Sequence, residues 1–321
     1  MSLFNSLLRH LSDGKPHLLS DLASQLHIDE QSLSAMLAEC QSDGLDLQWD
    51  ECVRWHDPTE PLSRSKIRHA MTSRFNGEVS VAYKVGSTNQ QLRDDFQHQK
   101  IWLAEMQSSG RGRRGRRWFS PPAANIYLSL GWRFNSTVTE LSGLSLAVGM
   151  KLIEALQPYA KGKLAVKWPN DIYLDERKLA GILIESVPRG ESQTEMIIGI
   201  GVNVSMQSAD QLDQPWTYLG RNQDRLDRSL LVAAILDALF NFLADDTMLA
   251  GELIDTYIQH HWADYDVLEG RSVSVIDGEQ ELLGVAAGID EHYNFLLRTP
   301  DGLRAFCSAD VSLRLARETS E

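Results

Sequence analysis

The sequence predicts an α/β (α+β) protein in three parts: a helical N-terminal domain over residues 1–60, a mixed-sheet domain over residues 61–267 and a small antiparallel β-barrel over residues 268–321. Three observations carry this reading. The first 56 residues hold helix-period apolar faces and one short hairpin pattern. The middle alternates strand-like apolar runs with long amphipathic helices. From Leu268 onward, short apolar runs are broken by Asp-Gly pairs at 277–278 and 301–302, the spacing of tight antiparallel turns.

The N-terminal part predicts a helix over residues 2–11 with Leu3, Phe4, Leu7, Leu8 and Leu11 on one face, ended by Gly14 and Pro16. Ser20 is expected to cap a short helix ending near His27, and Asp29 a third helix ended by Gly44. A hairpin follows around Asp50 and Glu51. This is the element order of a winged helix-turn-helix. Its charge argues against DNA. From Pro16 to Val53 there is no lysine or arginine, and there are eight acids. Tight DNA binders neutralise on the order of 6–10 phosphates. A small helical domain kept for packing or interdomain contact fits this charge better.

Residues 56–64 are polar with two prolines and are expected to be a linker, followed by a helix over residues 65–75. Residues 79–85 alternate as a strand. Ser87 stands where it can cap a helix beginning near Asn89, so Ser87, Thr88 and Asn89 lie at a strand end and a helix N-terminus. By themselves these three suggest plain capping. Residues 100–107 form the next strand, which leads into a loop with five arginines at 111, 113, 114, 116 and 117, interleaved with Gly110, Gly112 and Gly115. In a chain of net charge −13, such positive density is not background composition. Guanidinium forks on a glycine-rich loop suit carboxylate or phosphate.

A strand over residues 125–134, a helix over 141–156 and a strand over 163–166 follow. Turns are expected at Pro169-Asn170-Asp171 and at Asp175-Glu176-Arg177, then a strand over 196–205 whose glycines suggest backbone close to a ligand or helix. Residues 206–228 are polar and irregular, and residues 229–244 and 249–261 are amphipathic helices.

The usual catalytic devices are missing. There is no GxSxG elbow and no GxxxxGK[ST] loop. The nine histidines do not fall at metal-binding spacings, and Cys40, Cys52 and Cys307 form no CxxC pair. The cysteine usage fits a reducing compartment, so a cytoplasmic protein is expected. Residues 230–236 are the longest apolar run and too short to span a bilayer. What remains is a set of anion-binding and positioning groups: the arginine loop, Lys167, Lys178, Gln107, Asn170 and Asn203. That set suits phosphoryl or nucleotidyl transfer, where positioning and charge stabilisation dominate.

The blocks GRGRRGRRWFSPPAANIYLSL, KWPNDIYL, RKLAGILIE and IIGIGVNV, with STNQ upstream, resemble those of bacterial biotin protein ligases, in family order over residues 79–205. The flanking parts are similar to those of the ligase–repressor subgroup. The resemblance implies a central domain of class II synthetase type, an N-terminal winged helix-turn-helix and an SH3-like C-terminal barrel. It implies activation of biotin by ATP with Mg2+ to biotinyl-5'-AMP, then transfer to a lysine of a biotin carboxyl carrier protein of acetyl-CoA carboxylase. No protein-built metal cage is expected.

By position, the resemblance implies that Ser87, Thr88, Asn89, Gln107, Arg111, Gly112, Arg113 and Lys178 face biotin. Gly110, Arg111, Arg113, Arg116, Trp118, Lys167, Asn170, Asp171 and Asn203 would hold ATP or the adenylate. Lys178 and Arg113 are the expected catalytic pair, and Trp216 is expected to pack over the adenine. Gly86 stands where the family usually has an acid. The resemblance also implies a homodimer and, as the alternative function, a biotinyl-AMP-responsive repressor on operator DNA, which the acidic N-terminal domain opposes. A lipoate ligase fits less well, because KWPND with GRGRRG is the biotin-type pair.

Overall fold

The computed structural model describes residues 2–188, 193–206, 214–220, 225–245, 250–277, 280–307 and 311–315. The N-terminal helices are α1 (Leu3–Leu11), α2 (Leu19–Leu26) and α3 (Glu30–Asp43), with strands β1 (His17–Leu18), β2 (Leu47–Trp49) and β3 (Cys52–Trp55). Leu7, Leu8, Leu11, Leu33 and Leu37 are fully buried among them. Asp29 caps α3 by accepting from Ser32 N, and Gly44 ends it at φ +110°, a left-handed conformation that glycine adopts without strain. Ser20 is not a cap. It lies inside α2, whose N-cap is Leu18 and has no side-chain bond; the helix start is fixed instead by Leu19 N donating to Glu51 O. The two-residue β1, which pairs with β3, has no periodicity to reveal it in advance.

The linker expected over residues 56–64 is fastened down. Leu62 N donates to Glu105 Oε1 at 2.6 Å and Thr59 Oγ1 to Ala123 O at 2.6 Å. Arg228, 2% exposed, donates to Glu105 Oε2 at 2.7 Å and to Glu60 O at 3.0 Å. Helix α4 (Arg64–Ala70) then ends earlier than its sequence pattern suggests. The backbone N–H groups of Thr72 and Ser73 are claimed by the Asp237 carboxylate at 2.9–3.0 Å.

The central sheet contains β4 (Val79–Val85), β5 (Ile101–Gln107), β6 (Ile126–Phe134), β7 (Leu164–Lys167), β8 (Asp171–Leu174), β9 (Arg177–Pro188) and β10 (Thr194–Val202), in the order β4-β5-β6-β10-β9-β8-β7. Only β4 and β5 are parallel, and α5 (Thr88–Asp94) is their crossover. Helices α6 (Leu144–Leu156), α7 (Arg228–Leu243) and α8 (Ala250–Tyr265) complete the domain. Period-two alternation sends Ile198, Ile200 and Val202 of β10 into the core shared with α6 and α7, leaving Gly199 and Gly201 on the other face. The N-terminal unit packs on the edge strand β4. Phe4 stacks on Tyr83 at 4.8 Å, Asn5 Nδ2 donates to Val81 O at 3.2 Å, and Asp43 pairs with Lys84 at 2.5 Å.

The C-terminal strands β11 (Ser272–Asp277), β12 (Gln280–Ile289), β13 (Phe295–Thr299), β14 (Gly302–Phe306) and β15 (Val311–Leu315) form one antiparallel sheet in the order β14-β13-β12-β11-β15. Gly302 takes φ +123° at the Asp301-Gly302 turn, while Gly278 of the other expected turn lies outside the described residues. Phe295 and Leu297 join the central core, and Trp168 Nε1 donates to Tyr293 O at 3.0 Å. Among the described residues no helix is long and apolar enough to cross a membrane.

Candidate active site

The site begins where β4 runs into α5. Ser87 is the N-cap by backbone position, but its side chain makes no capping hydrogen bond. The plain-capping reading of Ser87 therefore fails, and its hydroxyl, in a residue 5% exposed, is left to the cavity it lines. Thr88 donates from N and Oγ1 to Gln107 Oε1 at 2.9 and 3.2 Å. Gln107 Nε2 donates to Ser120 Oγ at 3.0 Å, so this carboxamide is locked in one orientation. Asn89 lines the same cavity, yet its polar atoms are already engaged. Oδ1 accepts from Ser129 Oγ at 2.6 Å, and Nδ2 donates to Glu185 Oε2 at 2.9 Å and Leu183 O at 3.3 Å. These partners hold Asn89 in place where it faces the cavity.

The arginine loop folds back on itself over this pocket. Gly112 N donates to Arg116 O at 2.7 Å, and Arg111 bridges to Arg117. Gly110 is set back from the residues that line the cavity. It serves a close approach instead: a Cβ there would lie 2.5 Å from Trp118 O, while Trp118 N donates to Gly110 O at 2.9 Å. Trp118 lies flat across the sheet floor. A Cβ at Gly201 would meet its ring at 2.4 Å and one at Gly181 at 2.9 Å. Its indole N–H is buried with no hydrogen-bond partner.

The cationic wall comes from β7, β9 and the loop. Lys178 Nζ pairs with Asp171 Oδ2 at 2.8 Å and stands 5.4 Å from the Trp118 ring centroid. Lys167 Nζ lies 3.1 Å from Tyr173 Oη, a hydroxyl whose pKa burial raises. Arg113 donates to Asn170 Oδ1 at 3.3 Å, and Asn170 Nδ2 to Ile182 O at 2.8 Å. Burial, reinforced by Arg114, pushes Arg113's pKa below its ordinary value, while Asp171 pulls the other way. Asn203 is braced by Thr217 O at 3.1 Å. Trp216 bridges to Lys178 and lines the cavity; residues 207–213 and 221–224 of the irregular stretch lie outside the described residues.

One cavity thus gathers Ser87, Thr88, Asn89, Gln107, Arg111, Gly112, Arg113, Arg116, Trp118, Lys167, Asn170, Asp171, Lys178, Asn203 and Trp216. It also includes Arg114 and Arg117, together with Gly181, Gly199, Met206 and Gln214, which were not singled out from the sequence. The glycine pattern of the strand over residues 196–205 was the available signal for Gly199. Nothing in the sequence marks Met206 or Gln214. Among the described residues, seven cationic side chains line the cavity against one carboxylate, Asp171. The neutral groups of Thr88 and Gln107 are joined to each other, while the Asn170 carboxamide sits beside Arg113. Among the described residues the cavity lining holds no cysteine or histidine, and the arrangement suits binding and aligning an anion.

Comparison with known proteins agrees. Residues 81–203 match the biotin/lipoate A/B protein ligase family, and residues 270–314 match the biotin protein ligase C-terminal domain. The chain is 31% identical over 318 residues to the bifunctional ligase/repressor BirA of Salmonella typhimurium, covering 97% of each. It is 31% identical over 317 residues to that of Escherichia coli, again covering 97% of each. A biotin protein ligase from Aquifex aeolicus, solved in complex with biotin and ATP, shares the fold. Its TM-score is 0.60 and its identity 24%, over 74% of this chain and 99% of that one.

Proposed function

The chain belongs to the biotin protein ligase family, and we propose that it joins biotin to ATP as biotinyl-5'-AMP and passes the biotinyl group to a lysine of a biotin carboxyl carrier protein, the acetyl-CoA carboxylase subunit. The observation that carries this reading is one cavity whose lining joins the neutral groups of Ser87, Thr88 and Gln107 to the cations of the arginine loop, Lys167 and Lys178. Biotin has the matching layout, an uncharged ureido ring and a carboxylate joined by an apolar chain.

In the first step a biotin carboxylate oxygen attacks the α-phosphorus of ATP, and pyrophosphate leaves with the bond electrons. In the second step a lysine amine attacks the carbonyl of the mixed anhydride, AMP leaves and the amine loses a proton. Neither step needs an enzyme nucleophile, in keeping with the cavity's lining. Ser87, Thr88 and Gln107 take the ureido edge, with Asn89 bracing them. Arg111, Gly112 and Arg113 hold carboxylate and α-phosphate, and Lys178, aligned by Asp171, stabilises charge at the reacting centre. Trp118, Lys167, Asn170, Asn203 and Arg116 bound the nucleotide. Mg2+ bound with ATP would supply charge neutralisation at the phosphates, and Asp171, the carboxylate among the described lining residues, would hold it. Arg111 and the rest of the loop exclude water from the anhydride.

The same reading divides the chain into a winged helix-turn-helix (1–60), a class II synthetase-like domain (61–267) and an SH3-like barrel (268–321), working as a cytoplasmic homodimer. The second reading, a biotinyl-AMP-responsive repressor, is favoured by the 97% span of the similarity to ligase/repressors, which includes the N-terminal unit. It is opposed by the eight acids and absent cations of residues 16–53. Fluorescence titration with the organism's own biotin-gene promoter, in the presence of biotin and ATP, separates the two. Tight, salt-sensitive, sequence-specific binding would establish the repressor. The ligase itself is tested by biotin-dependent ATP–pyrophosphate exchange with lipoate as control. Exchange with biotin and none with lipoate is the expected result; no exchange with biotin refutes it.

A further inference from the structure

We propose that Glu185 is a positioning residue that tethers Arg111 beside the cavity it lines and joins it, through Asn89 and Ser129, to the neutral group of Thr88 and Gln107. The inference rests on the ligase reading for its chemistry. Glu185 sits on β9 with its side chain only 14% exposed. Three groups converge on its carboxylate: Asn89 Nδ2 at 2.9 Å, Arg93 of α5 at 2.7 Å and Arg111 at 3.4 Å. Two guanidinium groups share one carboxylate. Arg93 is the close partner, and Arg111, with its side chain half exposed, is the distant one.

That inequality matters. A guanidinium has five N–H donors, so Arg111 remains able to meet an incoming anion while still tethered. Without Glu185, Arg93 and Arg111 have only each other's charge at this point, and Arg111 relaxes toward water. Closing the site then requires ordering a long side chain again.

The other end of the connection is buried. Asn89 crosses β10 directly over Gly199, where a Cβ would lie 2.3 Å from Asn89 Oδ1; only glycine allows the amide to reach Glu185. Ser129 Oγ, fully buried on β6, lies 2.6 Å from Asn89 Oδ1 and 2.7 Å from Thr88 Oγ1. One hydroxyl proton therefore serves two oxygens. A ligand that engages Thr88 decides which oxygen receives it, and the choice is felt at Asn89 and so at Glu185.

The test compares wild type, Glu185→Gln, Arg111→Ala and the double variant in biotin-dependent pyrophosphate exchange, and in tryptic cleavage of the ligand-free protein at residues 111–117. Glu185→Gln should raise the KM for biotin on the order of fivefold, the size expected of an ion pair with one half-exposed partner, and leave kcat nearly unchanged. The double variant should be no worse than Arg111→Ala alone, because both changes remove one interaction. Tryptic cleavage should be faster in Glu185→Gln. A merely structural Glu185 would lower the melting temperature without moving KM, and its effect would add to that of Arg111→Ala; either result overturns the proposal. If Glu185→Gln does not fold, Glu185→Asp, which withdraws the charge by one methylene, should show the same KM rise in smaller degree, and an unchanged KM overturns the proposal. Absence of exchange in wild type would sink the ligase reading, and the cleavage comparison would then decide the tether by itself.

Discussion

Residues 16–53 carry eight carboxylates and no lysine or arginine, whereas residues 111–117 carry five arginines. Most of the N-terminal acids are exposed, and the one that is half-buried, Asp43, is matched by Tyr83 Oη and Lys84 across the domain contact. The loop arginines instead converge on a concave site, where Glu185 and Asn170 hold two of them. The same compositional signal, a run of like charge, thus means a solvated face in one place and a waiting anion site in the other. What separates them is context: the arginines are interleaved with glycines between two strands, and the acids lie on α2 and α3, at the α3 cap and around the β2–β3 hairpin of a unit closed inside by leucine.

The largest effect should come from breaking the cationic side. Lys178→Ala should lower biotin-dependent exchange on the order of 10²–10³-fold with an unchanged melting temperature. Activity within a few-fold of wild type would remove the cavity from the chemistry. Next comes the junction of the two regions. Arg228→Ala leaves Glu105, which is wholly buried, without its partner and should cost about 3–5 kcal/mol in urea unfolding. A loss under about 1 kcal/mol would make residues 56–64 an independent tether after all.

A smaller effect lies on the far side of the site, where α8 passes into the C-terminal sheet. Burial pushes the Asp266 carboxyl up to about 6 from its ordinary 3.8. Between these two values the folded protein holds a proton that the unfolded chain has released, so this group's contribution to stability falls as pH rises through that window. Asp266→Asn should therefore raise the melting temperature by a few degrees at pH 7 and by nothing below about pH 4. An equal gain at both pH values would assign the effect to something other than charge. Smallest is Asp43→Ala, which removes the acceptor of Tyr83 and Lys84. It should cost about 1 kcal/mol by chemical denaturation, and a null result would leave the N-terminal unit held by packing alone.

Much of the sheet could be read in advance. The strand expected over residues 79–85 coincides with β4, since its alternation is unbroken and bounded by Gly86 and Ser87. Helix α3 likewise starts at its aspartate cap and stops at its glycine. The failures share one cause, a partner far away in sequence. Asp237 ends α4 early, and Glu51 sets the start of α2. The cavity was legible where residue type itself carries chemistry, as with the arginines, Lys178 and Gln107. Ser129 and Glu185 were invisible because each is a polar residue inside an apolar strand run. Their meaning comes only from Asn89, which reaches both after crossing Gly199.

The latch at Arg228 also bears on how the protein can be cut. Glu105 Oε1 takes Leu62 N and Oε2 takes Arg228, while Arg228 reaches on to Glu60 O and Arg225 to Asp57. A polypeptide begun at residue 61 would keep every strand of the central sheet yet strip a buried guanidinium of an acceptor outside it. The smallest separable catalytic piece therefore starts at Asp57 rather than after Glu60, and proteases should find residues 57–62 a poor target despite their polar composition.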